Sequence, residues 1–194
     1  MDKQFYIIIG RSGSGKGTQA DLLKAHLEGK GATVEHITTG GGFRNFIQED
    51  NFVAKSAKGV NEVGGLQPEF LAVWNWSNIF INSLKENDTV ILDGAPRKIY
   101  EVQALHSAIT FLGYKNPIVI YVDVSETWAK EKLLGRGRED DKDVEDINRR
   151  LAWFESDVLP VVAMYIEDPR YKVLHINGEQ GIDEVHNEIL SKLD

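Results

Sequence analysis

The 194-residue chain contains no cysteine, which excludes disulfides and thiolate zinc sites together. It has no apolar run near the ~20 residues that a membrane-spanning helix needs, and neither internal repeats nor low-complexity tracts. Positive charge is in deficit: 22 Lys and Arg stand against 30 Asp and Glu, a net charge of -8. A nucleic-acid-binding surface needs a basic face, so none is expected. Met1-Asp2-Lys3-Gln4 leads straight into an apolar stretch, without the pattern of a signal peptide, and a cytoplasmic protein is expected. No stretch shows a sustained heptad or an obviously exposed apolar face, so the expected state is a monomer.

What is present is an alternation. Strand-like runs recur at Phe5–Ile9, Val34–Ile37, Val90–Leu92, Ile118–Val124 and Lys172–Ile176, with helical patterns between them and after the last. This order predicts an α/β fold around a parallel sheet of five strands flanked by helices. Ligands of such a sheet gather at the carboxyl ends of its strands, and the unusual residues of this chain fall there.

The most informative stretch is Gly10-Arg11-Ser12-Gly13-Ser14-Gly15-Lys16-Gly17-Thr18. It joins an apolar strand to a helical pattern, the context in which a glycine-rich turn becomes a phosphate loop. Glycines at 10, 13, 15 and 17 let the backbone curl until successive N–H groups point into one hollow. The helix N-terminus beyond adds a positive dipole end, and together they favour a polyphosphate. Lys16 is placed to lie across β- and γ-phosphates. The hydroxyl near a Mg²⁺ ion would come from Thr18, because Gly17 stands directly after the lysine. The bland alternative is a ligand-free strand–helix turn.

Further along, Thr38-Thr39-Gly40-Gly41-Gly42-Phe43-Arg44 offers a hydroxyl, glycines and an arginine after the second strand, a second candidate anion site or a plain loop. Phe46–Val63 reads as one polar, glycine-interrupted helix. The helix after Pro68 carries Phe70, Trp74, Trp76 and Phe80, expected in the core. Asp93 closes an apolar strand at the carboxyl edge, suited to hold waters of a Mg²⁺ ion. Arg97 follows a turn and is suited to bidentate anion binding. Arg136, Arg138, Arg149 and Arg150 cluster in fifteen residues of an acidic protein: either a solvated charge run or a clamp for a transferring phosphoryl group.

These stretches together resemble the adenylate kinase family of nucleoside monophosphate kinases, in order and over nearly the whole chain. The resemblance rests on Gly15–Gln19, Thr39-Gly40 with Arg44, Gly65-Leu66 before Pro68, Asp93-Gly94 with Pro96-Arg97, and Arg136, Arg138-Glu139-Asp140-Asp141 and Arg150-Leu151. It implies one kinase domain over 1–194, with a monophosphate-binding insert at 39–68 and a minimal lid at 135–141. It implies that Gly10 to Thr18 hold ATP, and that Thr39, Gly40, Arg44, Leu66, Gly94 and Arg97 line the monophosphate site. Asp93 would order the Mg²⁺ waters. Arg136, Arg138 and Arg150 would clamp the phosphoryl group in flight, while Asp140 and Asp141 pair across the lid. The implied reaction is γ-phosphoryl transfer from ATP to AMP. Another monophosphate (GMP, CMP or UMP) as acceptor, or nucleotide binding without transfer, are the alternatives.

The chain departs from the family pattern at several places. Gly41 stands where an Asp is common after Thr-Gly. The lid before Arg138 is reduced to Gly137, and without cysteine it cannot hold zinc by thiolates. Lys132 replaces an arginine that stacks on the donor adenine, and an ammonium cannot stack as a planar fork does. At the base-reading glutamine the register gives Glu101, with Gln103 as the alternative. An ionised Glu101 only accepts hydrogen bonds, which suits the donors of guanine better than adenine N1. Arg149 and Arg150 compete for one role, and Arg150 is favoured because it directly precedes the inward-facing Leu151.

Overall fold

The computed structural model describes residues 3–136 and 143–193, with Arg136 described by its backbone alone. Five strands, β1 (Phe5–Gly10), β2 (Val34–Thr38), β3 (Thr89–Asp93), β4 (Ile118–Asp123) and β5 (Lys172–Asn177), form one sheet in the order β2-β3-β1-β4-β5. Every pairing is parallel, so all carboxyl ends lie at one edge. The strands match the five expected runs to within one residue at each end.

β1 is central because it is apolar on both faces. Phe5, Ile7 and Ile9 enter one core layer; Tyr6 and Ile8 enter the other. The first layer is closed by α4 (Glu69–Ser83), α5 (Ile99–Phe111) and α8 (Leu159–Glu167), through Trp76, Phe80, Leu105, Val161 and Tyr165. The second is closed by α1 (Lys16–Gly29) and α9 (Ile182–Leu193), through Leu23, Leu27, Val185 and Ile189. Each such side chain contributes about 1.5–3 kcal/mol by leaving water. The rigid sheet then fixes the loops at its carboxyl edge.

Between β2 and α4 the chain forms two helices, α2 (Thr39–Phe46) and α3 (Phe52–Glu62), which share a small core of Phe43, Phe46, Ala54, Ala57 and Leu71. This corrects the single helix expected over Phe46–Val63 and the loop expected over 38–44. The three glycines do not break α2, because its first turn is held from outside. Thr39 Oγ1 donates to the carbonyl of Gly94 at 3.0 Å, and Asn75 Nδ2 donates to the carbonyl of Thr39 at 2.9 Å. A Cβ on Gly42 would collide with the Asn75 amide. α3 starts afresh where Asn51 accepts the N–H of Ala54 at 2.8 Å, a side-chain N-cap.

The aromatic helix α4 is only half in the core. Trp76 and Phe80 are buried, but Phe70 and Trp74 are 67% and 41% exposed. Those two lie one turn apart on the stripe away from the sheet, and Trp74 packs on Phe46 with ring centroids 4.7 Å apart. After β4 come α6 (Glu126–Arg136) and α7 (Val144–Trp153). α7 runs into α8 through a π turn, Phe154–Val158, just ahead of Pro160, a residue with no N–H to give an i−4 carbonyl.

Candidate active site

The phosphate loop connects β1 to α1 through Gly13 (φ 89°) and Gly15 (φ 86°), both in the left-handed region that glycine adopts without a steric penalty. Gly10 is required for a different reason: a Cβ there would run into the carbonyl of Val122 on β4. α1 begins at Lys16 with no acidic residue in its first turn, so its amides and positive dipole end are left for an anion. Lys16 Nζ donates to the Arg11 carbonyl across the loop at 2.7 Å. Arg11 braces the loop from outside. Its Nε donates to Val124 O at 2.9 Å, its guanidinium pairs with Glu155, and it lies 4.5 Å over the Phe154 ring.

The loop forms one wall of a cavity of about 970 Å³ at the carboxyl edge. Gly13 through Thr18 line it, opposite Thr39, Gly40, Arg44, Gln67, Gly94, Arg97 and Arg150, with Trp128, Lys132 and Gly178 at one end. A long cavity with a phosphate loop at its middle can seat two phosphorylated ligands end to end.

Asp93 ends β3, in register with Ile8 of β1 and Thr38 of β2. Its Oδ2 lies 3.5 Å from where a Cβ on Gly17 would be, so the carboxylate rests against the first turn of α1. Asp93 and Thr18 both line the cavity and offer hard oxygen donors, the chemistry that Mg²⁺ takes. No group of three His, Cys, Asp or Glu side chains able to hold a metal occurs among the described residues. An ion here therefore needs phosphate oxygens and water to complete its shell, as Mg²⁺ on a nucleotide does.

Three arginines reach the cavity from different elements: Arg44 from the last turn of α2, Arg97 from the turn after β3, and Arg150 from α7. Arg97 Nε donates to Gly94 O at 2.7 Å, and its guanidinium lies 5.4 Å from the centre of the Trp153 ring. Burial pulls the Arg97 pKa down; the Glu101 and Asp93 carboxylates counter this, while the neighbouring charge of Arg150 adds to it. Arg97 and Arg150 line the same cavity, and their positive charge favours an anionic ligand in it. Arg149 does not line the cavity; it pairs with Asp146 at 3.4 Å on the exposed side of α7.

A much smaller cavity behind the first shares Thr39, Phe43, Gln67, Gly94 and Arg97, and adds Leu66 and Glu101. Glu101 is only 2% exposed, and its Oε1 accepts the Arg97 backbone N–H at 3.3 Å. Burial raises its pKa above the ordinary carboxylate value, with Arg97 and Lys98 acting the other way. Gln103 is corrected: it is exposed on α5 and lines neither cavity, because two residues along a helix rotate its side chain to the opposite face. The residue the sequence did not single out is Gln67, which lines both cavities. Its only signal in the sequence is an amide inside Gly65-Leu66-Gln67-Pro68.

Lys132 lines the cavity beside Trp128, its Nζ 4.6 Å from the centre of that ring one turn earlier. Arg138, Asp140 and Asp141 lie outside the described residues, as does the side chain of Arg136, which ends α6. The lid expected at 135–141 therefore lies outside them from Gly137 onward.

A family model described as adenylate kinase matches residues 8–169. The chain is similar to adenylate kinase 1 of Nostoc sp., at 33% identity over 190 residues, covering 96% of this chain and 97% of the relative. It is likewise similar to the adenylate kinase of Phocaeicola vulgatus, at 31% identity over 97% of both chains. A third relative, the adenylate kinase of Helicobacter hepaticus, is 32% identical over 97% of this chain and 96% of its own.

Proposed function

The chain belongs to the adenylate kinase family, and on that premise we propose that it transfers the γ-phosphoryl group of ATP to AMP, giving two ADP. The observation that carries this reading is the single cavity in which the phosphate loop faces Arg44, Arg97 and Arg150.

The chemistry needs no covalent intermediate. An AMP phosphate oxygen attacks the γ-phosphorus in line, and the bond to the β,γ-bridging oxygen breaks, leaving ADP on both sides. The loop amides and Lys16 hold the donor phosphates. Arg44 and Arg97 hold the acceptor phosphate, and Arg150 faces the oxygens that gain charge during transfer, a role Arg136 and Arg138 would share. Mg²⁺ bound with ATP neutralises phosphate charge; Thr18, and Asp93 through water, would hold it. The rest of the rate comes from positioning two ligands in one cleft. The organisation that goes with this function is one domain over 1–194, with 39–68 as monophosphate insert and 135–141 as short lid. We place it in the cytoplasm as a monomer, with nucleotides as its partners.

Mixing the protein with ATP, Mg²⁺ and each of AMP, GMP, CMP and UMP, and following ADP, tests the reading. AMP should be the best acceptor. Lys16→Met should lower kcat about a hundredfold or more with the fold retained, since the side chain belongs to no core cluster and its hydrogen bond to Arg11 O lies within the loop. ATP binding with no transfer to any monophosphate would overturn the proposal in favour of a nucleotide-binding module.

A further inference from the structure

Gln67 is 6% exposed, and its amide is oriented by its surroundings. Its Nε2 donates to Ala57 O and to Asn61 Oδ1, both at 2.8 Å. Both N–H donors are thereby used, and rotating the amide would set Oε1 against the Ala57 carbonyl, oxygen to oxygen. Oε1 therefore stays where it is, buried and without a hydrogen-bond partner. Buried acceptors in folded proteins are almost always satisfied, so an unpartnered one on a residue that lines a binding cavity points to a donor on the ligand.

The surroundings say what kind of donor. The small cavity, only about 10 Å³ here, has apolar walls from Phe43, Leu66 and Ala72, which would have to part to take the faces of a planar ring. The cationic groups, Arg44 and Arg97, are those suited to the phosphate. The Thr39 hydroxyl is already given to the Gly94 carbonyl at 3.0 Å; Glu101, whose Oε1 accepts the Arg97 N–H at 3.3 Å, is the other side-chain acceptor lining this cavity. Of the two, Gln67 offers the neutral acceptor whose orientation is fixed and which has no hydrogen-bond partner, next to apolar walls. Adenine presents an N–H donor in its 6-amino group; guanine and hypoxanthine present a carbonyl oxygen at the same position, which would oppose Oε1 acceptor to acceptor.

We propose that Gln67 is a specificity-determining residue of the monophosphate site, its side-chain carbonyl accepting an N–H of the AMP 6-amino group. This assigns to a residue of the insert the discrimination that the sequence had left between Glu101 and Gln103. It rests on the reading of the cavity as an AMP site. Selectivity follows because Oε1 is already buried and unpartnered: a ligand that brings an N–H relieves that cost, a deamino ligand leaves it in place, and a carbonyl brought against it adds repulsion.

The test compares AMP with purine riboside 5′-monophosphate, which has hydrogen in place of the 6-amino group, and with IMP, for the parent enzyme and for Gln67→Leu. The parent should prefer AMP to the deamino analogue by about tenfold in kcat/KM, and Gln67→Leu should erase most of that preference, chiefly through KM. Gln67→Leu should also narrow the AMP-to-IMP ratio. An equal loss on AMP and on the deamino analogue would mean that Gln67 only ties α3 to its loop, and would overturn the proposal. Should Gln67→Leu not fold, the parent alone decides: no preference for AMP over the deamino analogue overturns it. A changed AMP-to-IMP ratio in Glu101→Gln but not in Gln67→Leu would assign the base to Glu101 instead. Absence of transfer to any monophosphate would overturn the AMP reading itself, a result distinct from transfer that ignores the amino group.

Discussion

The indole Nε1 of Trp153 donates to the carbonyl oxygen of Gly64 at 3.3 Å. The bond joins α7, which carries Arg150, to the end of the segment that carries Arg44 and Gln67. Gly64 itself, at φ 61°, sits so close to Asp146 that a Cβ there would lie 3.0 Å from its Cα. The insert and the arginine helix are thus held in one arrangement by a hydrogen bond and a close backbone approach.

Trp153→Phe keeps an aromatic face beneath Arg97 and removes only the N–H. The arrangement that brings the two segments together should lose about 1 kcal/mol, so KM for AMP should rise about fivefold while KM for ATP changes little. Steady-state kinetics with each nucleotide varied in turn would show this. A rise confined to ATP would mean the bond does not serve the monophosphate side.

Arg150→Ala should lower kcat far more than it raises KM for ATP, by about a hundredfold, because its charge is of most use to the oxygens in transit. Arg149→Ala should be nearly silent: its ion pair with Asp146 is exposed, and such pairs are worth about 0–1 kcal/mol. The reverse order of effects would place the functional guanidinium one residue earlier on α7.

At the end of the cavity proposed for the donor, an indole and an ammonium stand side by side among the described residues. Trp128 and Lys132 line the cavity together, and neither selects one base by hydrogen bonding to its edge. An aromatic face accepts any base. GTP and CTP should therefore replace ATP within about tenfold, or about 1.4 kcal/mol. A panel of triphosphates with AMP as acceptor checks this, and strict dependence on ATP would point to backbone near Gly178 as the reader.

Glu101 makes stability depend on pH in a definite direction. Its burial raises the folded-state pKa above the unfolded one, so the folded protein holds a proton the unfolded chain has released. The group's contribution is complete below the unfolded value and is lost as pH rises through the folded one. Glu101→Gln keeps the shape of the neutral acid without the ionisation. Its Tm relative to the parent should be close to unchanged near pH 4 and should climb as pH is raised toward 7, as thermal melts at several pH values would reveal. A Tm difference independent of pH would mean that Glu101 ionises in the folded protein as it does in water.

What the chain discloses on inspection is what short-range chemistry decides. The apolar strands, the glycine loop before Lys16, and the positions of Asp93 and Arg97 each follow from local pattern, and the structure brings them to one edge. The start of α2 was not legible, because Gly40-Gly41-Gly42 reads as a loop until Asn75, thirty-three residues after Gly42, is seen to occupy the space a side chain would need. Phe70 and Trp74 were misplaced in the core because aromatic content says nothing about which stripe of α4 meets the sheet. Gln67 carries no signal in the sequence, since its meaning lies in which of its atoms Ala57 and Asn61 engage. Partners far along the chain are what periodicity cannot supply.

The π turn at Phe154–Val158 bears on chain length as well as on shape. It adds a residue to a helix that otherwise repeats every 3.6, and so rotates everything after it by about 100° relative to everything before. Upstream, that phase sets Ile147 and Leu151 inward with Arg150 and Trp153 at the cleft; downstream, it sets Val161, Val162 and Tyr165 against the sheet. Delete one residue within the turn and the two halves fall into a single phase that cannot serve both. Either the guanidinium swings out of the cleft or Tyr165 leaves the core. Along this helix the number of residues is constrained as tightly as their identity, and an enzyme here can be lost by a deletion that removes no functional side chain.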